Sequence, residues 1–258
     1  MIKAVFFDVD GTLISHKTSS IPVSALTALN MLKEKGVLIF LATGRHKLEL
    51  EDLPVKNIDF DGYVTLNGQY CFNSDGVIHM MPIPKSNLVN VVNEMKVNPF
   101  PCEFVEADRI YMNYVDEIVE KAQDAINTPI PELGLLEEGV NHDVLLVLPF
   151  GMEHKQDKLR ELLPDCKMTR WHEHAFDIIN ARGGKEKGIE KVLEYYGIDK
   201  EDVMAFGDGD NDVSMFNYVG LSVCLANGSK LALEAADYVS SDIDDDGIYN
   251  ALKHFKII

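Results

Sequence analysis

The stretch Ile2-Lys3-Ala4-Val5-Phe6-Phe7-Asp8-Val9-Asp10-Gly11-Thr12 decides how this chain is read. Six residues between Ile2 and Val9 are apolar, and they do not alternate with polar ones. A run of that kind forms a strand covered on both faces, the usual condition inside a parallel sheet. The strand stops on two carboxylates and a glycine. Residues two apart on a strand project to one side, so Asp8 and Asp10 are expected close together where it ends, with Gly11 permitting the turn that follows. Two like charges at that spacing repel unless a cation or a proton lies between them. A divalent metal and an acid/base function are the chemistry that such a pair serves.

Outward from that strand, the chain alternates strand and helix. Ile21-Pro22 opens a helix in which Leu26, Leu29 and Leu32 recur at helical spacing, and Gly36 closes it. A second apolar strand over 37–41 runs into Ala42-Thr43-Gly44-Arg45, and a third over 63–66 runs into Asn67-Gly68. The pattern resumes at Lys185, with a helix through Ile189, Val192 and Leu193 to Gly197. A strand over 203–206 then ends at Gly207-Asp208. Short strands at 221–225 and 238–239 and a closing helix through Ile248, Leu252 and Phe255 complete it. Such alternation predicts a parallel sheet with helices on both faces, and ligands in such sheets bind outside the carboxyl ends of the strands.

From 84 to 182 the pattern changes. Helices are expected at 88–95, 117–126 and 155–163, with strands at 103–106, 109–114, 144–148, 167–171 and 176–180. Neighbouring strands with no helix between them imply antiparallel pairing in an α+β module. Pro82, Pro84, Pro99, Pro101, Pro129 and Pro131 punctuate its entry and loops. The predicted fold class is therefore α/β: a Rossmann-like parallel-sheet core of residues 1–83 and 183–258, interrupted by an inserted α+β domain at 84–182.

Composition sets outer bounds. With 42 acidic against 24 basic residues the net charge is −18, which argues against nucleic acid and anionic membrane as partners. It leaves room for a phosphorylated ligand, because a bound metal inverts the local sign. Cys71, Cys102, Cys166 and Cys224 are scattered without paired ligand spacing and read as reduced, mostly buried thiols. No leader precedes the first strand and no apolar run reaches membrane-spanning length, so a soluble, cytoplasmic protein is expected.

The polar clusters of the core all fall just after predicted strands: Asp8 and Asp10, then Thr43-Gly44-Arg45, then Asp208-Gly209-Asp210-Asn211-Asp212. Lys185 opens the helix ahead of the last of these strands. In a parallel sheet they converge at one edge. Carboxylates for a hard cation, a hydroxyl and an ammonium for an oxyanion, and glycines for close backbone approach are the parts that phosphate chemistry requires.

With Asp8-Val9-Asp10-Gly11-Thr12, Thr43-Gly44-Arg45, Lys185 and Gly207-Asp208-Gly209-Asp210-Asn211-Asp212 in that order, the sequence resembles the haloacid dehalogenase superfamily of phosphohydrolases. The large insertion between the second and third motifs resembles the Cof-type branch with a type IIB cap. Leu66-Asn67-Gly68, Ala226-Asn227-Gly228, Ala235-Ala236-Asp237-Tyr238-Val239 and Asp246-Gly247-Ile248 match that branch as well. The resemblance implies a Mg²⁺-dependent phosphatase of small phosphorylated metabolites, hexose and other sugar phosphates first, with the cap closing on compact substrates. Asp8 is then the nucleophile that forms an aspartyl-phosphate, and Asp10 the general acid and base. Asp8, the backbone carbonyl of Asp10 and Asp208 are implied as metal ligands. Thr43, Gly44, Lys185 and Asn211 are implied for phosphate binding, with Asp212 in support.

Several positions carry a second reading. Asp10 and Asp208 could each cap a turn, Thr43-Gly44 could be an ordinary strand-to-helix turn, and Lys187 competes with Lys185. Arg45 suits an anionic or hydroxyl-rich substrate, with Asn67 beside it as a further substrate contact, or else forms a surface ion pair. Asp242-Ile243-Asp244-Asp245-Asp246-Gly247 lacks the closing glutamate of a calcium loop and is expected to be a turn capping the final helix. His172-Glu173-His174 is either a polar turn between strands or a contact to substrate or metal. A phosphomutase or phosphotransferase on the same nucleophile is the alternative enzyme, and a non-catalytic sensor of phosphorylated metabolites the alternative outside enzymes.

Overall fold

Strand β1 (Ala4–Phe7) is buried along its whole length, every side chain at 0% exposure. Its alternate residues serve two separate cores. Val5 and Phe7 pack with Leu29, Leu32, Ile248 and Leu252 on one face, while Ala4 and Phe6 pack with Ile189, Val192 and Leu193 on the other. This is why the run does not alternate: both faces are covered by helices. Phe6 stacks on Phe40 at 4.7 Å and Phe7 on Phe206 at 5.2 Å. Each such buried ring contributes roughly 1.5–3 kcal/mol relative to exposure.

The structure, a computed structural model, describes all residues except 127, 128, 153, 173 and 174. Glu173 and His174 of the sequence-predicted polar turn thus lie outside the described residues. The chain divides into two compact units, Met1–His79 with Gly184–Ile258, and Met80–Gly183. In chain order the strands after β1 are β2 (Leu38–Ala42), β3 (Gly62–Thr65), β4 (Tyr70–Asn73) and β5 (Gly76–Met80). Next come β6 (Cys102–Val105), β7 (Ile110–Met112), β8 (Glu132–Leu133), β9 (Leu146–Pro149), β10 (Cys166–His172) and β11 (Ala175–Asn180). The last are β12 (Val203–Gly207), β13 (Leu221–Cys224) and β14 (Tyr238–Val239).

Among the described residues the first unit carries an eight-stranded sheet in the order β14-β13-β12-β1-β2-β3-β4-β5. It is parallel from β14 through β3, as strand-helix alternation predicts. The far edge departs from that expectation, because β4 pairs antiparallel with β3 and β5 follows it. The Val23–Glu34 helix also differs in detail. It buries Ala25, Ala28, Leu29 and Leu32, while Leu26 is 37% exposed. The i, i+3, i+4, i+7 stripe fixes that face and leaves Leu26 beside it.

The second unit is an α+β module. Its six-stranded sheet runs β10-β11-β9-β6-β7-β8 and is antiparallel except where the two-residue β8 lies along β7. Phe104, Tyr111, Val147, Phe176 and Ile178 of the sheet pack with Leu88, Val91, Val92 and Leu159 of its helices. All four cysteines are free. No helix among the described residues is long and apolar enough to cross a membrane.

Candidate active site

The central strands deliver their polar ends to one edge of the sheet. Asp8 follows β1 directly and its N–H donates to the Phe206 carbonyl at 3.0 Å. Period-two spacing puts Asp8 on the Phe6 face, the face covered by the Lys185–Tyr196 helix. That helix begins close to the sheet because glycines line its approach. A Cβ on Gly68 would lie 2.0 Å from the Gly184 carbonyl, and one on Gly188 would lie 2.6 Å from Val64 Cγ1. Leu66 and Asn67 both have φ of 51° and Gly68 has 88°, so the chain makes a left-handed turn against the start of the helix. Backbone held in this sparsely populated region clusters at functional sites.

Lys185 is the product of that placement. Its side chain is fully buried, and its ammonium donates to Asp8 Oδ1 and to Asp212 Oδ1, each at 2.6 Å. The other Asp212 oxygen accepts the N–H groups of Asp208 and Gly209, both at 2.9 Å. Lys187, the competing lysine, is exposed and pairs with Glu190 at 3.1 Å. Asp208 accepts the Thr12 hydroxyl at 2.6 Å, and a Cβ on Gly11 would come within 2.2 Å of its Oδ2. Gly11 itself has φ of 80°. The turn is tied from behind by Asn227, whose amide donates to the Gly11 carbonyl at 2.8 Å and accepts the Ile243 N–H at 3.0 Å.

Asp8, Asp208 and Asp212 thus form one group, with a carboxylate oxygen of each within 4.8 Å of the others. Two of these three carboxylates bond the Lys185 ammonium. Burial pushes the Asp8 carboxyl well above the usual range; Lys185 opposes this, while Asp212 and Asp208 raise it further. Asp208 is pushed up to about 6, again by burial first, with the Thr12 hydrogen bond opposing and Asp212 adding. Burial works against the charge of Lys185, yet Asp212 and Asp8 outweigh it and hold the ammonium above its ordinary range. The centre is short of positive charge and rich in hard oxygen donors, and a divalent cation satisfies both conditions.

Asp10 is not one of these three. Regular strand ends at Phe7, so period-two spacing lapses before Asp10, whose carboxylate meets the Arg45 guanidinium. Arg45 Nε donates to Asp10 Oδ2 at 2.6 Å and Nη2 to Asp10 Oδ1 at 2.8 Å. Thr43 is 1% exposed, and its hydroxyl accepts the Arg45 N–H at 3.1 Å. A Cβ on Gly44 would lie 3.2 Å from the Asn67 amide nitrogen, and Asn211 donates to Asn67 Oδ1 at 3.2 Å. Asp242 accepts the Asp244 N–H at 3.0 Å and caps the short turn Ile243–Asp245, whereas the Gly247–His254 helix that follows begins at Asp246 without a side-chain cap.

Two contributors went unassigned in the sequence. Thr12 holds Asp208, and its place two residues after Asp10 was the available signal. Glu49 lies 3.6 Å from Arg45 Nη1, at the i, i+4 spacing that pairs opposite charges on a helical turn.

Comparison with known proteins agrees with this geometry. Residues 5–252 match the family model of haloacid dehalogenase-like hydrolases. YkrA of Bacillus subtilis, to which phosphatase activity is provisionally ascribed, is 30% identical over 258 residues, covering 99% of this chain and 98% of its own. The solved structure of the subclass IIB sugar phosphatase BT4131 is 37% identical, with a TM-score of 0.85 over 99% of this chain and 100% of that one. BT1666 of Bacteroides thetaiotaomicron, also described as a phosphatase, is 30% identical with a TM-score of 0.91, covering 100% and 96%. The chain belongs to the haloacid dehalogenase-like hydrolases, and within them it is an enzyme of the phosphatase kind.

Proposed function

We propose that this phosphatase hydrolyses small phosphorylated metabolites, sugar phosphates first, with Mg²⁺ as its metal and Asp8 as its nucleophile. The observation that carries the proposal is the group of Asp8, Asp208 and Asp212, in which the buried Asp8 and Asp212 both bond Lys185 and Asp208 is half-buried. Asp8 and Asp208, with the backbone carbonyl of Asp10, would hold the metal. Asp212 already spends one oxygen on Lys185 and the other on two backbone N–H groups, which suits it to orienting the lysine. When bound, Mg²⁺ would neutralise charge on the transferring phosphoryl group and polarise it toward attack.

The remaining chemistry belongs to the chain's own groups. An Asp8 oxygen attacks phosphorus in line, the bond to the leaving oxygen breaks, and Asp10 supplies that oxygen with a proton. Asp10 then removes a proton from water as the water attacks the aspartyl-phosphate, which restores the Asp8 carboxylate and releases phosphate. Lys185 counters charge on the phosphoryl oxygens. The Thr43 hydroxyl accepts from the Arg45 N–H, so its own O–H remains a donor toward phosphate. Asn211 would help to bind the phosphate, and Asn67, which accepts from its amide, would touch the substrate.

Sugar phosphates come first because the subclass IIB neighbour is described as a sugar phosphatase. Relatives named for pyridoxal phosphate and for a phosphoribitylaminouracil broaden the class to compact monoesters. The test is phosphate release from a panel of sugar phosphates, nucleotides and pyridoxal phosphate, with Mg²⁺ and with EDTA. Mg²⁺-dependent release concentrated on compact esters supports the proposal. Release unaffected by EDTA would overturn the metal, and sugar-phosphate interconversion without phosphate release would make the protein a transferase.

A further inference from the structure

Arg45 is constrained at both ends. Its own N–H donates to Thr43 and its carbonyl accepts the Leu66 N–H at 3.2 Å, which pins the backbone between two loops of the site. One edge of its guanidinium forks onto both oxygens of Asp10. The other faces Glu49 Oε1 at 3.6 Å. Glu49 is fixed in turn, because its Oε2 accepts the His46 N–H at 2.6 Å while His46 Nδ1 accepts the Leu48 N–H at 3.2 Å, capping the Lys47–Leu50 helix.

A two-point guanidinium fork sets the plane of a carboxylate, which a single ammonium cannot do. The fork takes one acceptor site on each Asp10 oxygen. Each oxygen offers about two such sites, so one side of the carboxylate stays available. Arg45 and Asp10 remain 31% and 36% exposed, so the pair does not seal Asp10 away from a reacting group.

We propose that Arg45, braced by Glu49, is the positioning residue for Asp10, and that it aims this carboxylate at the leaving oxygen. The proposal rests on the reading of Asp10 as acid and base. Its consequence is selective in the first step, formation of the aspartyl-phosphate, which kcat/KM reports: there Arg45 matters where the leaving group needs a proton and little where it does not.

The experiment compares glucose 6-phosphate, an alkyl ester, with p-nitrophenyl phosphate, whose phenolate departs unprotonated, at saturating Mg²⁺. Wild type, Asp10→Asn, Arg45→Lys and Glu49→Gln are measured together, each checked for folding by circular dichroism. Arg45→Lys is expected to lower kcat/KM on the alkyl ester by about 10²-fold and on the aryl ester by less than about 10-fold, the lower range of general acid catalysis. Glu49→Gln should move the ratio the same way by a smaller factor. Equal losses of kcat/KM on both esters in Arg45→Lys, with Asp10→Asn still discriminating between them, would overturn the positioning role alone. A raised KM with kcat retained would make Arg45 a substrate-binding residue and overturn it too. Equal losses of kcat/KM in Asp10→Asn itself would overturn the acid role and this proposal with it.

Discussion

The Lys185 ammonium lies 2.6 Å from Asp8 Oδ1, and neither side chain has appreciable contact with solvent. This ion pair spans 177 residues of sequence and joins the strand that opens the chain to the helix that resumes the first unit. It engages one Asp8 oxygen, and the lysine is held between two carboxylates.

The first prediction concerns Asp8→Asn. If Asp8 is the nucleophile, the amide abolishes phosphate release, because it cannot form the acyl-phosphate. The fold should survive, since Lys185 keeps Asp212 as its partner. Burial already disfavours the Asp8 charge, so the metal-free variant should melt at or above the wild-type temperature. Substantial retained turnover would remove the covalent mechanism. A lowered melting temperature would mean that the Asp8–Lys185 attraction outweighs the burial of charge.

Lys185→Met tests the other partner. Removing a buried ammonium leaves Asp8 and Asp212 without compensation, and breaking such a pair costs ~3–5 kcal/mol. Without metal the melting temperature should fall by several degrees or more, and Mg²⁺ should recover part of the loss by restoring positive charge. Turnover should fall by at least ~10²-fold if Lys185 stabilises phosphoryl charge. Thermal melts with and without Mg²⁺, alongside phosphate release, check both effects. An unchanged melt would mean that the pair contributes nothing net to stability.

The parts of this architecture that were legible in sequence share a cause. Val5 and Phe7 on one face and Phe6 on the other leave an unbroken apolar run, and such a run has few homes besides a central parallel strand. Asp208 was readable because Gly207 ends a strand of the same kind. Asp10 was harder to place. The period-two argument assumes continuing strand, but the strand ends at Phe7 and the partner of the Asp10 carboxylate is Arg45, 35 residues away. The antiparallel edge had a local signal in Tyr70-Cys71-Phe72 followed by Asp75-Gly76, a hairpin signature. The strand-helix rhythm of the preceding segments masked it. Leu26 failed for a simpler reason: a strict i, i+3 repeat drifts around a helix, and the buried stripe passes through Ala25 and Ala28 instead.

Gly11 supplies a prediction about the metal. Its φ of 80° disfavours any L side chain, at ~1–2 kcal/mol, and an added Cβ would meet Asp208 Oδ2 at 2.2 Å. Gly11→Ala should therefore fold with a small loss of stability and push Asp208 out of place. The expected reading is a Mg²⁺ half-saturation raised about 10-fold or more, in keeping with disturbance of a group that supports a metal ligand. A titration of phosphate release against Mg²⁺ measures it. An unchanged requirement would locate the ion away from Asp208.

The last prediction links metal and pH without measuring activity. Asp208 is pushed up to about 6 in the folded protein, against 3.8 as its ordinary value. A carboxyl raised on folding binds its proton more tightly in the native state. The metal-free fold therefore loses stability as pH rises from the unfolded value through about 6, and the loss is complete above that. Asp8 adds to the effect in the same direction, because its carboxyl is raised as well. Mg²⁺ opposes the repulsion only where the carboxylates are ionised, and protons compete with it below that range. The Mg²⁺-induced rise in melting temperature should thus be large at about pH 7.5 and small at about pH 5. Asp208→Asn should flatten the difference by removing one of the competing carboxylates. An equal rise at both pH values in the unaltered protein would mean that Mg²⁺ binds at groups other than Asp8 and Asp208.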